Sequence, residues 1–264
     1  MKSFNAKNIR ALIIDMDGVL WRGEQLIADL PPIFEEIEQL ELKVIMATNN
    51  STRTPANYVE KLRTYEVELS NWQVINSAEA TAQYLSKIYP QGGPVYVVGE
   101  SGLVESLESK GFTINAKDVL TVVAGMDRDL NYAKIDRAAA LIRAGAKFIG
   151  TNPDRTFPTP NGLMPGAGTS LAAIEAASYV SPVIIGKPQP IIFEIALERL
   201  GVKPEEALMV GDRLETDIAG GQRIGCPVGL VLSGVTGLEE GQAWRPEVDI
   251  IADDLMGLLK KLVE

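Results

Sequence analysis

Two aspartates, Asp15 and Asp17, stand two residues apart at the end of the apolar run Ala11-Leu12-Ile13-Ile14 and just ahead of Gly18. In extended backbone the side chains alternate faces, so both carboxylates are expected to point the same way, one toward a metal and the other toward a leaving group. Three more clusters carry groups of matching chemistry. In Ile45-Met46-Ala47-Thr48-Asn49-Asn50-Ser51 a strand is expected to release a hydroxyl and backbone amides ahead of a helix near Pro55, a cradle for phosphate oxygens. Val183-Ile184-Ile185-Gly186-Lys187-Pro188 puts one lysine at a strand mouth, where its ammonium can hold a trianionic transition state. Ala207-Leu208-Met209-Val210-Gly211-Asp212 delivers another carboxylate, which can meet a hard cation together with Asp15, and Asp217 follows about a helical turn later. Taken singly, each is ordinary turn or capping chemistry. Their joint occurrence at the carboxyl ends of expected parallel strands, where open α/β sheets bind ligands, marks a site.

The elements that must position these groups follow from the hydrophobic pattern. Short β-branched runs (Leu12–Ile14, Val44–Ala47, Val95–Val98, Val122–Ala124, Val183–Ile185, Leu208–Val210, Gly229–Leu232) alternate with amphipathic stretches. The latter predict helices over Pro31–Leu42, Pro55–Glu66, Ala78–Ile88, Tyr132–Ala144, Ala167–Ala177, Pro190–Leu200 and Thr216–Ile224, several opened by Pro or closed by Gly. The fold class is therefore α/β, a parallel sheet flanked by helices. Ser86–Pro94 and Ser178–Pro182 read as joints around an insert, giving a core of residues 1–80 and 182–264 and an inserted domain of 81–181. A turn at Pro160-Asn161-Gly162 suggests a loop or hairpin inside that insert.

Composition removes several functions. The 264 residues include no histidine, which excludes the Ser/His and Cys/His dyads and most catalytic zinc sites, so the chemistry falls to carboxylates, lysine and hard metals. A formal charge of −10 speaks against a nucleic-acid partner. Every apolar run is interrupted by charge, Pro or Gly, against a membrane role; the lone Cys226 forms no internal disulfide, and no leader precedes the first strand, so a cytoplasmic location is expected. Cys226 reads as a buried small hydrophobe, and Trp21, Trp72 and Trp244 as scattered packing residues. Arg53 and Arg213 read as solvated or capping groups, and Glu35, Glu36 and Glu38 as a solvated helix face.

The four clusters, in this order, resemble the signatures of the haloacid dehalogenase (HAD) superfamily: DxDGxL, a hydroxyl after the second strand, a lysine, and GDxxxTD. Thr48-Asn49-Asn50-Ser51-Thr52-Arg53, Gly186-Lys187-Pro188 and the large insert are similar to the NagD-like branch, as are Val98-Gly99-Glu100-Ser101-Gly102-Leu103, Thr151-Asn152-Pro153-Asp154 and Pro165-Gly166-Ala167-Gly168 within the insert. The resemblance implies a Rossmann-like, doubly wound core with an α/β cap that covers the site and selects the substrate, a small phosphorylated metabolite. It implies a phosphatase in which Asp15 attacks phosphorus, and Asp17 protonates the leaving oxygen and then takes a proton from water. It also implies Mg2+ held by the Asp15 carboxylate, the Asp17 backbone carbonyl and the Asp212 carboxylate. Thr48, Asn49, Asn50 and Lys187 would hold phosphoryl oxygens, Asp217 would orient Lys187 or a metal-bound water, and the cap allows homo-oligomers. Dehalogenases of the superfamily lack the second acid. A phosphonatase would use a cap lysine, for which Lys110, Lys117, Lys134 and Lys147 are the candidates, and a mutase would want a second phosphate site. A dinucleotide-binding oxidoreductase would want G-x-G-x-x-G after an early strand, where this chain has acids. A non-catalytic binding member of the fold would not need every catalytic position filled. The loops Gly125-Met126-Asp127-Arg128 and Asn152–Asp154 are the expected specificity segments, and the leaving group stays open.

Overall fold

A computed structural model describes residues 5–159 and 162–263. The chain forms two compact units, one from the described residues of Met1–Thr48, Tyr58–Ile75 and Lys187–Glu264, the other from Asn49–Asn57 and Asn76–Gly186. In chain order the elements are β1 (Ala11–Ile14), β2 (Trp21–Arg22), β3 (Gln25–Leu26), α1 (Leu30–Gln39), β4 (Lys43–Thr48), α2 (Pro55–Arg63), β5 (Val74–Asn76), α3 (Ser77–Ile88), β6 (Gly93–Val98), α4 (Ser101–Glu108), β7 (Phe112–Ile114), β8 (Thr121–Ala124) and α5 (Tyr132–Arg143). There follow β9 (Lys147–Gly150), β10 (Thr156–Thr159), β11 (Gly162–Pro165), α6 (Ala167–Ser178), β12 (Val183–Ile184), α7 (Pro190–Leu200), β13 (Ala207–Gly211), α8 (Ala219–Ile224), β14 (Val228–Val231), α9 (Leu238–Ala243), β15 (Ile250–Ala252) and α10 (Leu255–Val263).

In the first unit the sheet runs β15-β14-β13-β1-β4-β5. All four residues of β1 are buried, the continuous apolar run expected of a central strand covered on both faces. It pairs in parallel with β13 on one side and β4 on the other, Ile14 facing Val210 and Met46. Strand order departs in opposite directions from β1 and β13, so the crevice between their carboxyl ends is a switch point where such sheets bind ligands. This register decides the site, because Asp15, Thr48 and Asp212 all emerge at one edge. Leu12, Ile14, Met46, Leu208 and Val210 pack with Ile33 and Ile37 of α1, Leu62 of α2 and Leu255, Leu258 and Leu259 of α10.

The second unit has its own parallel sheet, β12-β9-β8-β6-β7, with a separate core in which Val98, Val122 and Phe148 meet Ala138 and Ile142 of α5 and Leu171 and Ile174 of α6. An antiparallel ladder, β10 with β11, belongs to the same unit; the Pro160-Asn161 turn lies outside the described residues. Both stretches read as joints lie within this unit. Ser86–Ile88 completes α3 and Gly93-Pro94 opens β6, the intervening turn using Gly92 at φ +69°. The run at Val183 belongs to this second sheet rather than the core, because Ile185 and Gly186 continue its ladder by donating to the Gly150 and Thr151 carbonyls. The chain passes to the first unit only at Lys187.

Among the described residues no helix is long and apolar enough to cross a membrane.

Candidate active site

Asp15 is the first residue beyond β1, and its amide still donates to the Val210 carbonyl at 2.9 Å, so its backbone is fixed by the sheet. Beyond it the chain does not stay extended. The amides of Val19 and Leu20 turn back onto the Met16 carbonyl, and Gly18 adopts φ +91°. The Asp15 carboxylate lies with those of Asp212 and Asp217, the three offering oxygens within 4.8 Å of one another, all buried. The Asp17 carboxyl is partly buried and accepts a hydrogen bond from the Trp21 indole at 3.1 Å.

Lys187, 2% exposed, is drawn into this cluster. Its Nζ lies 2.7 Å from Asp15 Oδ1 and 2.7 Å from Asp217 Oδ1, and donates to the Ala47 carbonyl at 2.9 Å. Asp217 sits in a wide, π-helical turn, Leu214–Ile218, that precedes α8 where an ordinary helix was expected from Thr216. The reason is local: the Arg213 amide donates to Asp217 Oδ2 at 3.1 Å, so the carboxylate organises its own turn while facing Lys187. Asp212 follows β13, and its Oδ2 accepts from the Val235 amide at 2.8 Å. A β-carbon on either Gly18 or Gly234 would collide with the Asp212 carboxylate, so two glycines form the wall against which it lies. Thr48 ends β4 and is buried. The side chains of the asparagines that follow are engaged: Asn49 Nδ2 donates to Asp154 Oδ2 in the loop after β9 at 2.9 Å, and Asn50 Oδ1 accepts from the Thr52 amide and hydroxyl. Asp154 also takes a hydrogen bond from Asn152 Nδ2 at 2.8 Å.

This geometry has known relatives. The family profile described as haloacid dehalogenase-like hydrolase matches residues 12–113, and a second HAD-hydrolase-like profile matches 184–258. The acid sugar phosphatase of Staphylococcus aureus is 39% identical over 237 residues, 89% of this chain and 91% of its own. Among solved structures, the 4-nitrophenylphosphatase of Thermotoga maritima superposes with a TM-score of 0.91 at 32% identity, covering 97% of this chain and 98% of the other. NagD of Escherichia coli K-12 superposes at 0.86 and 32% identity, covering 94% and 97%. The chain belongs to the haloacid dehalogenase-like hydrolases.

Electrostatics of the hydrolase's cluster follow from its burial. Desolvation raises the Asp15 carboxyl well above its ordinary range; Asp217 and Asp212 push the same way, and the nearby Lys187 ammonium opposes them. Desolvation, reinforced by Asp217, lifts Asp212 to about 6. Burial works against a charged Lys187, but Asp15 and Asp217 outweigh it and hold the ammonium protonated far into the alkaline range. Three carboxylates and one ammonium leave an excess of two negative charges when all are ionised. Asp212 Oδ1 is buried without a hydrogen-bond partner among the described residues. An all-oxygen donor set, an excess of negative charge and an orphaned buried oxygen fit a hard divalent cation. Asp17 too is raised by desolvation, against the opposing charges of Lys61, Lys187 and Arg213 and the Trp21 hydrogen bond.

Two contacts of the Asp17 turn go beyond the sequence expectations. Trp21 packs in the core as expected, and its indole also donates to Asp17, four residues before it. The loop Ser233–Thr236 is the second. Its Ser233 hydroxyl donates to the Gly18 carbonyl at 2.8 Å, and its Ser233 carbonyl accepts from Arg22 Nε at 2.8 Å, tying it to the Asp17 turn. Its signal was a Ser-Gly pair directly after an apolar strand, the same signal that marked the other loops. Cys226 is buried, as expected, and burial raises its thiol to about 12.

Proposed function

We propose that this hydrolase is a Mg2+-dependent phosphatase that hydrolyses small phosphomonoesters through a phosphorylated Asp15. The observation that carries the reading is the buried Asp15, Asp212 and Asp217 cluster with Lys187 pinned between two of its members. Bound between Asp15, Asp212 and the Asp17 backbone carbonyl, the cation would shield the anionic phosphate from the anionic nucleophile. The chain's own residues do the rest. An Asp15 oxygen forms a bond to phosphorus as the ester P–O bond opposite it breaks. Asp17 gives its proton to the departing oxygen, then accepts one from the water that attacks the aspartyl phosphate, releasing inorganic phosphate and restoring Asp15. Its raised carboxyl suits the first role, because an acid must still hold its proton near neutral pH. Lys187 and the Thr48 hydroxyl, with the amides of Asn49 and Asn50, hold the equatorial oxygens, and Asp217 keeps Lys187 aimed. The side chains of Asn49 and Asn50 are committed to Asp154 and Thr52, which favours their backbone amides for this task.

The S. aureus relative's name makes sugar phosphates the first substrate class to assay. After chelation, turnover of p-nitrophenyl phosphate should vanish and return with Mg2+. Acid quench of the working enzyme should leave one labile phosphate on the peptide carrying Asp15. Turnover by Asp15→Asn at the wild-type rate, or no phosphopeptide under rapid quench, would remove Asp15 as nucleophile.

A further inference from the structure

Trp21 is the bulkiest of the fully buried side chains, 1% exposed, and it is held on several sides. Its carbonyl accepts from the Gly18 amide at 2.8 Å, and its strand pairs with β3, Trp21 facing Leu26. Lys61 Nζ stands 4.0 Å from the indole centroid and donates to the Gly23 carbonyl at 3.1 Å. A ring so constrained presents its N–H in one direction only, and that direction is Asp17 Oδ1 at 3.1 Å. The indole N–H engages Oδ1 and leaves Oδ2 as the oxygen it does not hold.

We propose that Trp21 is a positioning residue for proton transfer: by holding Oδ1 it fixes the carboxyl rotamer in which Asp17 offers Oδ2 to the leaving group. The inference rests on Asp17 being the proton donor proposed above. As the ester P–O bond breaks and the bond from Asp15 to phosphorus forms, the Oδ2 proton passes to the leaving oxygen. Asp17 becomes a carboxylate whose Oδ1 already holds a hydrogen bond. Lys61, over the face of the ring, keeps the indole from rotating away.

The experiment replaces Trp21 by β-(3-benzothienyl)alanine, which keeps the bicyclic shape and puts sulfur where the N–H was, with Trp21→Phe alongside. Values of kcat/KM, which report the step in which the leaving group departs, are compared for p-nitrophenyl phosphate and an alkyl phosphomonoester. Nitrophenolate leaves without a proton and an alkoxide does not, so loss of positioning appears as a fall of about tenfold or more in the alkyl-to-nitrophenyl ratio. Equal losses on both substrates, or an unchanged ratio, overturn the proposal; the benzothienyl protein preserves packing, so this holds even if Trp21→Phe unfolds. Asp17→Asn separates the two layers. If it depresses the ratio and the Trp21 variants do not, the inference alone fails; if Asp17→Asn lowers both substrates equally, Asp17 is not the donor and both fall together.

Discussion

At the scale of single residues, Lys187 is the most exacting position. Its ammonium is buried and serves two carboxylates at 2.7 Å, so removing it strands negative charge in the interior. Lys187→Met should lower unfolding free energy by about 3–5 kcal/mol in a denaturant titration, the range for breaking a buried pair from one side. A loss under about 1 kcal/mol, typical of exposed pairs, would contradict that burial. Asp212 gives a pH prediction. Desolvation and Asp217 raise it from 3.8 to about 6 in the metal-free protein, so it holds its proton better folded than unfolded. Such a group contributes stability that is fully present below its unfolded value and is lost as pH rises to about 6. Chelated wild type should therefore lose stability relative to Asp212→Asn across that window, followed by thermal unfolding. Because the cation needs the ionised carboxylate, the rise in Tm on adding Mg2+ should be larger at about pH 7 than at about pH 5. A rise independent of pH would argue against Asp212 as a ligand. The identities of these residues were legible in the sequence. The partnership of Trp21 with Asp17 was not, since an isolated tryptophan is far more often a packing residue.

At the scale of elements, the loops after β1, β13 and β14 matter more than the strands. Gly18, at φ +91°, and Gly234 leave room for the Asp212 carboxylate that a β-carbon would fill. Gly18→Ala should destabilise the fold by more than about 1 kcal/mol and Gly234→Ala should act mainly through displacement of Asp212. Both should weaken Mg2+ activation by roughly tenfold, read as the metal concentration giving half-maximal turnover. Unchanged activation in both would mean that Asp212 does not hold the cation in this pose. The main helices and strands were readable from periodicity and punctuation, α7 running from Pro190 to Leu200 as expected. The two-residue strands β2 and β3 and the π-helical turn were not, because two residues carry no period and the turn is shaped by a side chain folding back on its own backbone.

At the scale of the whole molecule, the first unit is assembled from three separated segments. Strand β1, which carries Asp15, lies between β4 and β13, and β13 comes from beyond the insert. A chain ending at Gly186 lacks β13, β14, β15 and α10 and leaves β1 with one bare edge. That truncation should yield no cooperatively unfolding first unit in calorimetry and should bind no Mg2+; a two-state transition of the full enthalpy would show that the closing segment is dispensable. The second unit owns its sheet and core, so part of the native helical signal should survive in the same fragment.

The sequence by itself determined the fold class, the four signature clusters and their placement at strand ends, because apolar period, helix punctuation and residue chemistry are local properties. Only the tertiary structure decided which acids meet. Asp15 and Asp212 are almost two hundred residues apart in the sequence and are brought to one edge by the pairing of β1 with β13. Such pairing is set by burial of whole strands against one another, and spacing along the chain carries no record of it.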